Sequence, residues 1–227
     1  MAPSVKKPVN PPKGTPWCLD PHAPAWWEDA CAHLAQLDAR WAELMRRHND
    51  RSLRSRGDPY QTLVRAIVGQ QISVKAADAV FGRVLAVLGG TVAPQRVLQT
   101  GRDTLRNAGL SERKVEYLRS LAEFAGAGGL QSDRLDAMDD EQCIAHLVQV
   151  KGIGRWTAEM FLIFNLMRPD VWPLDDIGLL RALGEMFEGG KSPDRRRAGT
   201  MGEALRPYRT VATWYLWRSL DPIAVDY

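Results

Sequence analysis

The sequence predicts an all-α protein. Apolar residues recur at three- and four-residue spacing over most of the chain from Pro24 onward. The runs are bounded by helix signals, with Asp or Ser at their starts and Gly at their ends. No segment alternates polar and apolar residues between turn signals, so no strand is expected. With 227 residues, 45% of them hydrophobic, the chain can fill one large core or two small lobes.

The elements follow in chain order. Residues 1–16, "MAPSVKKPVNPPKGTP", are rich in Pro and Lys and lack the apolar stretch of a signal peptide. They read as a disordered tail. Residues 17–227 are expected to form the helical domain. Trp27, Leu34, Leu37, Trp41 and Leu44 fall at helical spacing. In "GDPYQTLVRAIVGQQ" Asp58 suits an N-cap and Pro59 the first helical position. Ser73 opens "ISVKAADAVFGRVLAVLGG", which stops at Gly89-Gly90. "APQRVLQTG" and "RDTLRNAGL" read as short helices. Ser111 opens the next long one, which ends near Gly126, and Asp139 opens "MDDEQCIAHLVQV". "GRWTAEMFLIFNLM" follows, another helix begins near Asp175, and the last covers roughly 207–220. "EGGKSPDRRRAG" reads as a charged surface loop leading into a helix.

Composition excludes several classes. The net charge of +3 is too small to require a nucleic-acid partner by itself. Three scattered cysteines form no disulfide framework and match no zinc or iron–sulfur spacing, which suits a reducing cytoplasm. The four histidines show no metal-ligand spacing. No apolar run reaches the roughly 18 residues of a membrane span.

The most informative stretch is "VKGIGRW", Val150–Trp156. A helix-to-helix turn needs one glycine as a C-cap, and here there are two. The helix starting near Arg155 exposes unpaired N–H groups and the positive end of its dipole. Side-chain-free turn positions let a phosphate approach those groups, with Lys151 and Arg155 adding charge beside it. The turn's carbonyls could coordinate a cation, and Ile153 would plug into the core. A plain αα-corner with glycines for close packing also fits. Downstream, "RPDVWPLDDIGLLRAL" places Asp175 and Asp176 at the start of a helix, after Pro173. Asp175 fits an N-cap, and Asp176 in the first turn gains from the dipole. Both could be structural, yet carboxylates near a phosphate-binding turn repel it unless they face a cationic reaction centre.

Taken together, "LVQVKGIGRWTAEMF", "DVWPLDDIGLLRAL", "AIVGQQIS" and "GLSERKVEYL" resemble the HhH-GPD DNA glycosylases, nearest to the AlkA-type DNA-3-methyladenine glycosylase II branch. The resemblance spans about residues 58–221. It implies an all-α, two-lobed fold with a helix-hairpin-helix over about 139–167 and a cleft between the lobes. The N-terminal β domain of AlkA is not expected.

The resemblance implies Asp176 as the catalytic aspartate. Gly152, Gly154 and Thr157 would offer backbone N–H groups to DNA. Lys151, Arg155, Gln70 and Gln71 complete the DNA-binding set, with Gln71 as the wedge that fills the gap left by a flipped nucleotide. Trp156, Met160 and Trp217 would line the base pocket, and Trp214 would sit in the core. The carbonyls of Val148, Val150 and Ile153 would hold a monovalent cation, Na or K, and no cofactor is required. Where bifunctional glycosylase/lyases place a Lys, this chain has Trp156, so no Schiff-base lyase chemistry is expected. The four-Cys cluster of the endonuclease III type is missing.

The implied activity is hydrolysis of the N-glycosidic bond of alkylated purines, 3-methyladenine and 7-methylguanine, in double-stranded DNA. These bases already carry positive charge and leave without protonation, which fits a site with one carboxylate and no evident acid. The alternatives are a non-catalytic helix-hairpin-helix DNA-binding protein, a glycosylase for another base such as uracil or hypoxanthine, and a helical adaptor. A bacterial, nucleoid-associated monomer with no membrane partner is expected.

Overall fold

Helices make up the regular structure, and no strand occurs among the described residues. The structure is a computed structural model and describes residues 16–220. The expected tail lies, apart from Pro16, outside the described residues. In order the helices are α1 (Trp27–Leu37), α2 (Ala39–Arg47), α3 (Pro59–Gly69), α4 (Val74–Val87), α5 (Pro94–Gln99), α6 (Arg102–Asn107), α7 (Glu112–Gly126), α8 (Ser132–Asp136), α9 (Asp140–Leu147), α10 (Arg155–Phe164), α11 (Ile177–Phe187), α12 (Arg195–Glu203) and α13 (Arg209–Leu220). None is long and apolar enough to cross a membrane. The chain divides into a central unit, Arg56–Phe161, and a terminal unit formed by its two ends, up to Ser55 and from Leu162.

The expected caps form. Asp58, Ser73 and Ser111 accept hydrogen bonds from the N3 amides of Gln61, Ala76 and Lys114. Asp139 and Gln142 make a reciprocal capping box. Each cap stabilises its helix by about 1 kcal/mol.

In the central unit α3 packs on α4 and α7, and α5 and α6 also pack on α7. Leu63, Val64, Ile67, Val115, Leu118 and Leu121 are almost fully buried there. The terminal unit packs α1, α2, α11 and α13 around aromatic side chains. Trp27 meets Trp214 edge-on, with centroids 5.3 Å apart, and Trp214 meets Tyr215 at 4.9 Å. Trp214 is therefore a core residue, as expected.

The structure departs from the sequence reading at several points, among them the unforeseen short helix α8. The run from Trp27 to Leu44 is two helices: Asp38 is extended at φ −157° and caps α2 through the Arg40 amide, leaving Leu37 39% exposed. Helix α10 stops at Phe164 rather than Met167, because Met167 turns left-handed at φ +55° and the Arg168 N–H closes onto the Leu162 carbonyl at 3.0 Å. The helix-hairpin-helix therefore runs over 140–164. In "EGGKSPDRRRAG", Asp194 caps α12 and the three arginines are already helical.

Candidate active site

The loop before α11 is pinned within the terminal unit. Thr210 donates to the Arg168 carbonyl at 2.6 Å and accepts from the Val171 amide at 2.9 Å. Asp170 is bound by Arg209 and Arg206, and the Trp172 indole donates to the Ala198 carbonyl of α12 at 3.0 Å. The loop closes in a turn, with the Asp176 amide donating to the Pro173 carbonyl at 2.9 Å. That turn delays the helix by one residue. Asp176, and not Asp175, is thus the N-cap: its Oδ1 accepts from the Leu179 amide at 2.6 Å. Asp175 instead is exposed and ion-paired with Arg195. The two acids that sequence left side by side differ in kind.

Asp176 is 9% exposed, and its Oδ1 takes a second hydrogen bond from the Trp217 indole at 2.8 Å. Trp217 lies parallel to Phe164, with centroids 5.8 Å apart and planes 10° apart. A Cβ on Gly178 would stand 3.2 Å from Asp176 Oδ1 and 3.3 Å from Trp217 Cδ1, so a bare α-carbon gives that pair its room. Next to Asp176, Ile177 is 82% exposed. The Leu179 amide and the Trp217 indole are neutral donors.

The hairpin belongs to the central unit. Helix α9 ends at Leu147, and Val150 and Ile153 are buried, with the Ile153 amide closing onto the Val150 carbonyl at 3.1 Å. The two glycines have different reasons. Gly152 sits at φ +84°, and a Cβ there would overlap the ring of Tyr117. A Cβ on Gly154 would meet nothing within 4 Å, so no internal packing demands glycine at that position. Among the described residues the amides of Gly152, Gly154 and Thr157 donate to no protein group.

The other two quoted motifs meet at this hairpin. The Gln70 side-chain amide donates to the Gly152 carbonyl at 2.8 Å. Lys114 Nζ donates to the carbonyls of Val68 and Gln70, both at 2.7 Å, closing the C-terminus of α3. Burial lowers the Lys114 ammonium below its usual range. Gln71 follows in the left-handed region at φ +62°, with its side chain exposed. Gln70 is thus engaged inside the protein while Gln71 faces out.

The two basic residues of the hairpin are not isolated charges. Lys151 pairs with Glu116 at 2.6 Å. Arg155 forks onto Glu141, with Nη1 at 2.9 Å, and binds the buried Glu159 at 2.9 Å. Trp156 is 38% exposed, whereas Met160 and Thr157 are buried. Trp156 and Met160 belong to the central unit and Trp217 to the terminal unit.

The family model described as "HhH-GPD superfamily base excision DNA repair protein" matches residues 64–205. The chain belongs to the HhH-GPD superfamily. It is 36% identical over 193 residues to DNA-3-methyladenine glycosylase 1 of Schizosaccharomyces pombe, covering 82% of this chain and 85% of that one. A crystal structure of a DNA-3-methyladenine glycosidase from Bacillus halodurans superposes with a TM-score of 0.78 at 35% identity, over 87% of this chain and 92% of that one. An S. pombe 3-methyladenine DNA glycosylase, Mag1, solved with abasic DNA, gives 0.75 at 32% identity, over 88% and 100%. The HhH-GPD match takes in the hairpin, Asp176 and the two helper motifs, and stops short of Trp217.

Sequence reasoning missed the supporting residues. Lys114 and Tyr117 lie three apart on one face of α7, inside the quoted "GLSERKVEYL", and that spacing is the available signal. Nothing local pointed to Phe164 or to the Leu179 amide.

Proposed function

We propose that this HhH-GPD protein is a monofunctional DNA glycosylase that hydrolyses the N-glycosidic bond of alkylated purines, 3-methyladenine and 7-methylguanine. The observation that carries this reading is Asp176: a largely buried carboxylate at the start of α11 whose Oδ1 accepts from the Leu179 amide and the Trp217 indole. A carboxylate oriented in advance is the partner that an oxocarbenium-like sugar requires. The C1′–N bond breaks with its electron pair going to the base. A methylated base that is already cationic leaves neutral and needs no proton. Water adds to C1′ and releases its proton to Asp176 or to solvent.

The hairpin grips the strand through the amides of Gly152, Gly154 and Thr157. The open space at Gly154 suits an outside ligand better than an internal corner. Holding the backbone without reading sequence is what a search for scattered lesions requires. The carbonyls of Val148, Val150 and Ile153, in the turn beyond α9, would hold a monovalent cation that offsets phosphate charge. Trp156 in place of a lysine supports hydrolysis without AP-lyase chemistry.

The test is incubation with methylated duplex DNA, with released bases identified by chromatography and borohydride trapping alongside. Release of 3-methyladenine or 7-methylguanine, no trapped adduct, and loss of release in Asp176→Asn are expected. Equal DNA binding by both proteins with no base released by either would make the protein a binder.

A further inference from the structure

We infer that Trp217 is a positioning residue, whose indole N–H fixes the Asp176 carboxylate for reaction, rather than one acting through its aromatic face. This rests on the glycosylase reading and adds a role for one side chain within it.

A ring that serves only as a stacking surface can be any aromatic. Trp217 is instead oriented by two contacts that use different parts of it. One face lies against Phe164, nearly parallel at 10°. The edge bearing the N–H points at Asp176 Oδ1 at 2.8 Å. The stack sets the plane of the indole, and the plane sets the direction of the N–H. Gly178 completes the arrangement, since a side chain there would press on both partners at 3.2–3.3 Å.

Two donors on one oxygen of Asp176, one from α11 and one from α13, fix the carboxylate's rotation and hence the direction of the second oxygen. A reacting sugar must be met by a carboxylate already in place, because misplacement lowers the rate steeply. Trp214, one turn earlier on α13, cannot substitute: its ring is committed to Trp27 and Tyr215.

The experiment replaces Trp217 in the full chain with benzothienylalanine, which keeps the bicyclic shape and puts sulfur where the N–H was. Trp217→Phe is made in parallel. Single-turnover release of 7-methylguanine, affinity for an abasic-site duplex, and melting temperature are measured on each. We expect release to slow about 10- to 100-fold, in keeping with the loss of a hydrogen bond to a charged group. Affinity of the isostere should stay at the wild-type value, and its melting temperature should fall by no more than a few degrees, the scale of one lost hydrogen bond. The Trp217 indole proton, seen by NMR, should lie downfield and move upfield in Asp176→Ala.

Wild-type release by the isostere would overturn the proposal, since the ring face would then suffice. So would a fall in affinity that matches the fall in rate, or a melting temperature lowered by more than one lost hydrogen bond explains. An unfolded Phe variant leaves the isostere to decide. If the wild-type protein releases no methylated base, the glycosylase reading itself fails, and a normal indole shift change would not rescue it.

Discussion

Gln70 ties two distant stretches of chain together: its side-chain amide donates to the carbonyl of Gly152, 82 residues away, at 2.8 Å. The bond joins the turn after α3 to the hairpin, and Lys114 holds the other side of that turn through the Val68 and Gln70 carbonyls. Three motifs that sequence could only place in order are thus one mechanical unit. The exposed, left-handed Gln71 is presented by a turn that cannot relax without breaking these bonds.

The two hairpin glycines should separate under mutation. Gly152→Ala places a Cβ in a left-handed residue, costing roughly 1–2 kcal/mol, and drives it into Tyr117 as well. Overpacking of this kind adds about 1–3 kcal/mol. Gly154→Ala meets open space, so its cost should stay under about 1 kcal/mol, the scale of a changed cap. Its effect should instead fall on DNA affinity, as the methyl group keeps a phosphate off the amides. Denaturant titration and fluorescence anisotropy with a DNA duplex would reveal the split.

Arg155 should prove structural before it proves a DNA ligand. Its guanidinium joins α9 to α10 through Glu141 and the buried Glu159, whose side chain is only 5% exposed. Arg155→Ala removes a half-exposed partner from that carboxylate and should destabilise the protein by about 1–2 kcal/mol, less than a fully buried pair would cost. Adding Glu159→Gln should recover much of the loss. For DNA binding, the slope of log affinity against log salt should change by less than the roughly one unit expected of a phosphate contact. Thermal melts and a salt series on the single and double variants check both halves.

Much of this architecture was legible because its signals are local. Asp58-Pro59, Ser73, Ser111 and Asp139 announce helix starts through chemistry within four residues, and each cap forms. The hairpin glycines were readable for the same reason. Asp38 was not, because an Asp within an apolar period looks like one more polar face until its backbone is seen to be extended. The choice between Asp175 and Asp176 as cap depended on the turn closed by the Pro173 carbonyl, which no propensity reports. The hydrogen bonds from Trp217 and Gln70 span 41 and 82 residues and exist only once the helices pack.

Acid should attack the protein first where the N-terminal segment is fastened. The Asp20 side chain is 1% exposed. Burial alone would raise its carboxyl, but hydrogen bonds from the His22 amide, Arg54, and the amide and hydroxyl of Ser52 outweigh it and hold the carboxyl far below the usual range. Its contribution is therefore present above the unfolded value near pH 4, by reference to a free aspartate at about 3.9, and fades as pH falls below that. Asp20→Asn should cost about 2–3 kcal/mol at pH 7, as charge-assisted hydrogen bonds are lost. It should also flatten the stability curve below pH 4 relative to wild type. Unfolding midpoints from pH 7 to pH 3 would test it, and parallel curves for the two proteins would refute it.

The neighbouring acids Asp175 and Asp176 should give opposite results. Asp175 is exposed and meets Arg195 at the surface, where such pairs contribute about 0–1 kcal/mol. Asp175→Ala should therefore leave both melting temperature and base release near wild type. Asp176→Ala removes a cap to the Leu179 amide and the acceptor for Trp217 together, and should destabilise by about 1–2 kcal/mol while abolishing release. Asp176→Asn discriminates between these losses. Its amide oxygen can still accept from both donors, and Asn caps helices as well as Asp does, so stability should return while base release does not. Recovery of base release along with stability would mean that Asp176 serves only to cap α11, and that the charge facing the sugar must be sought in another residue.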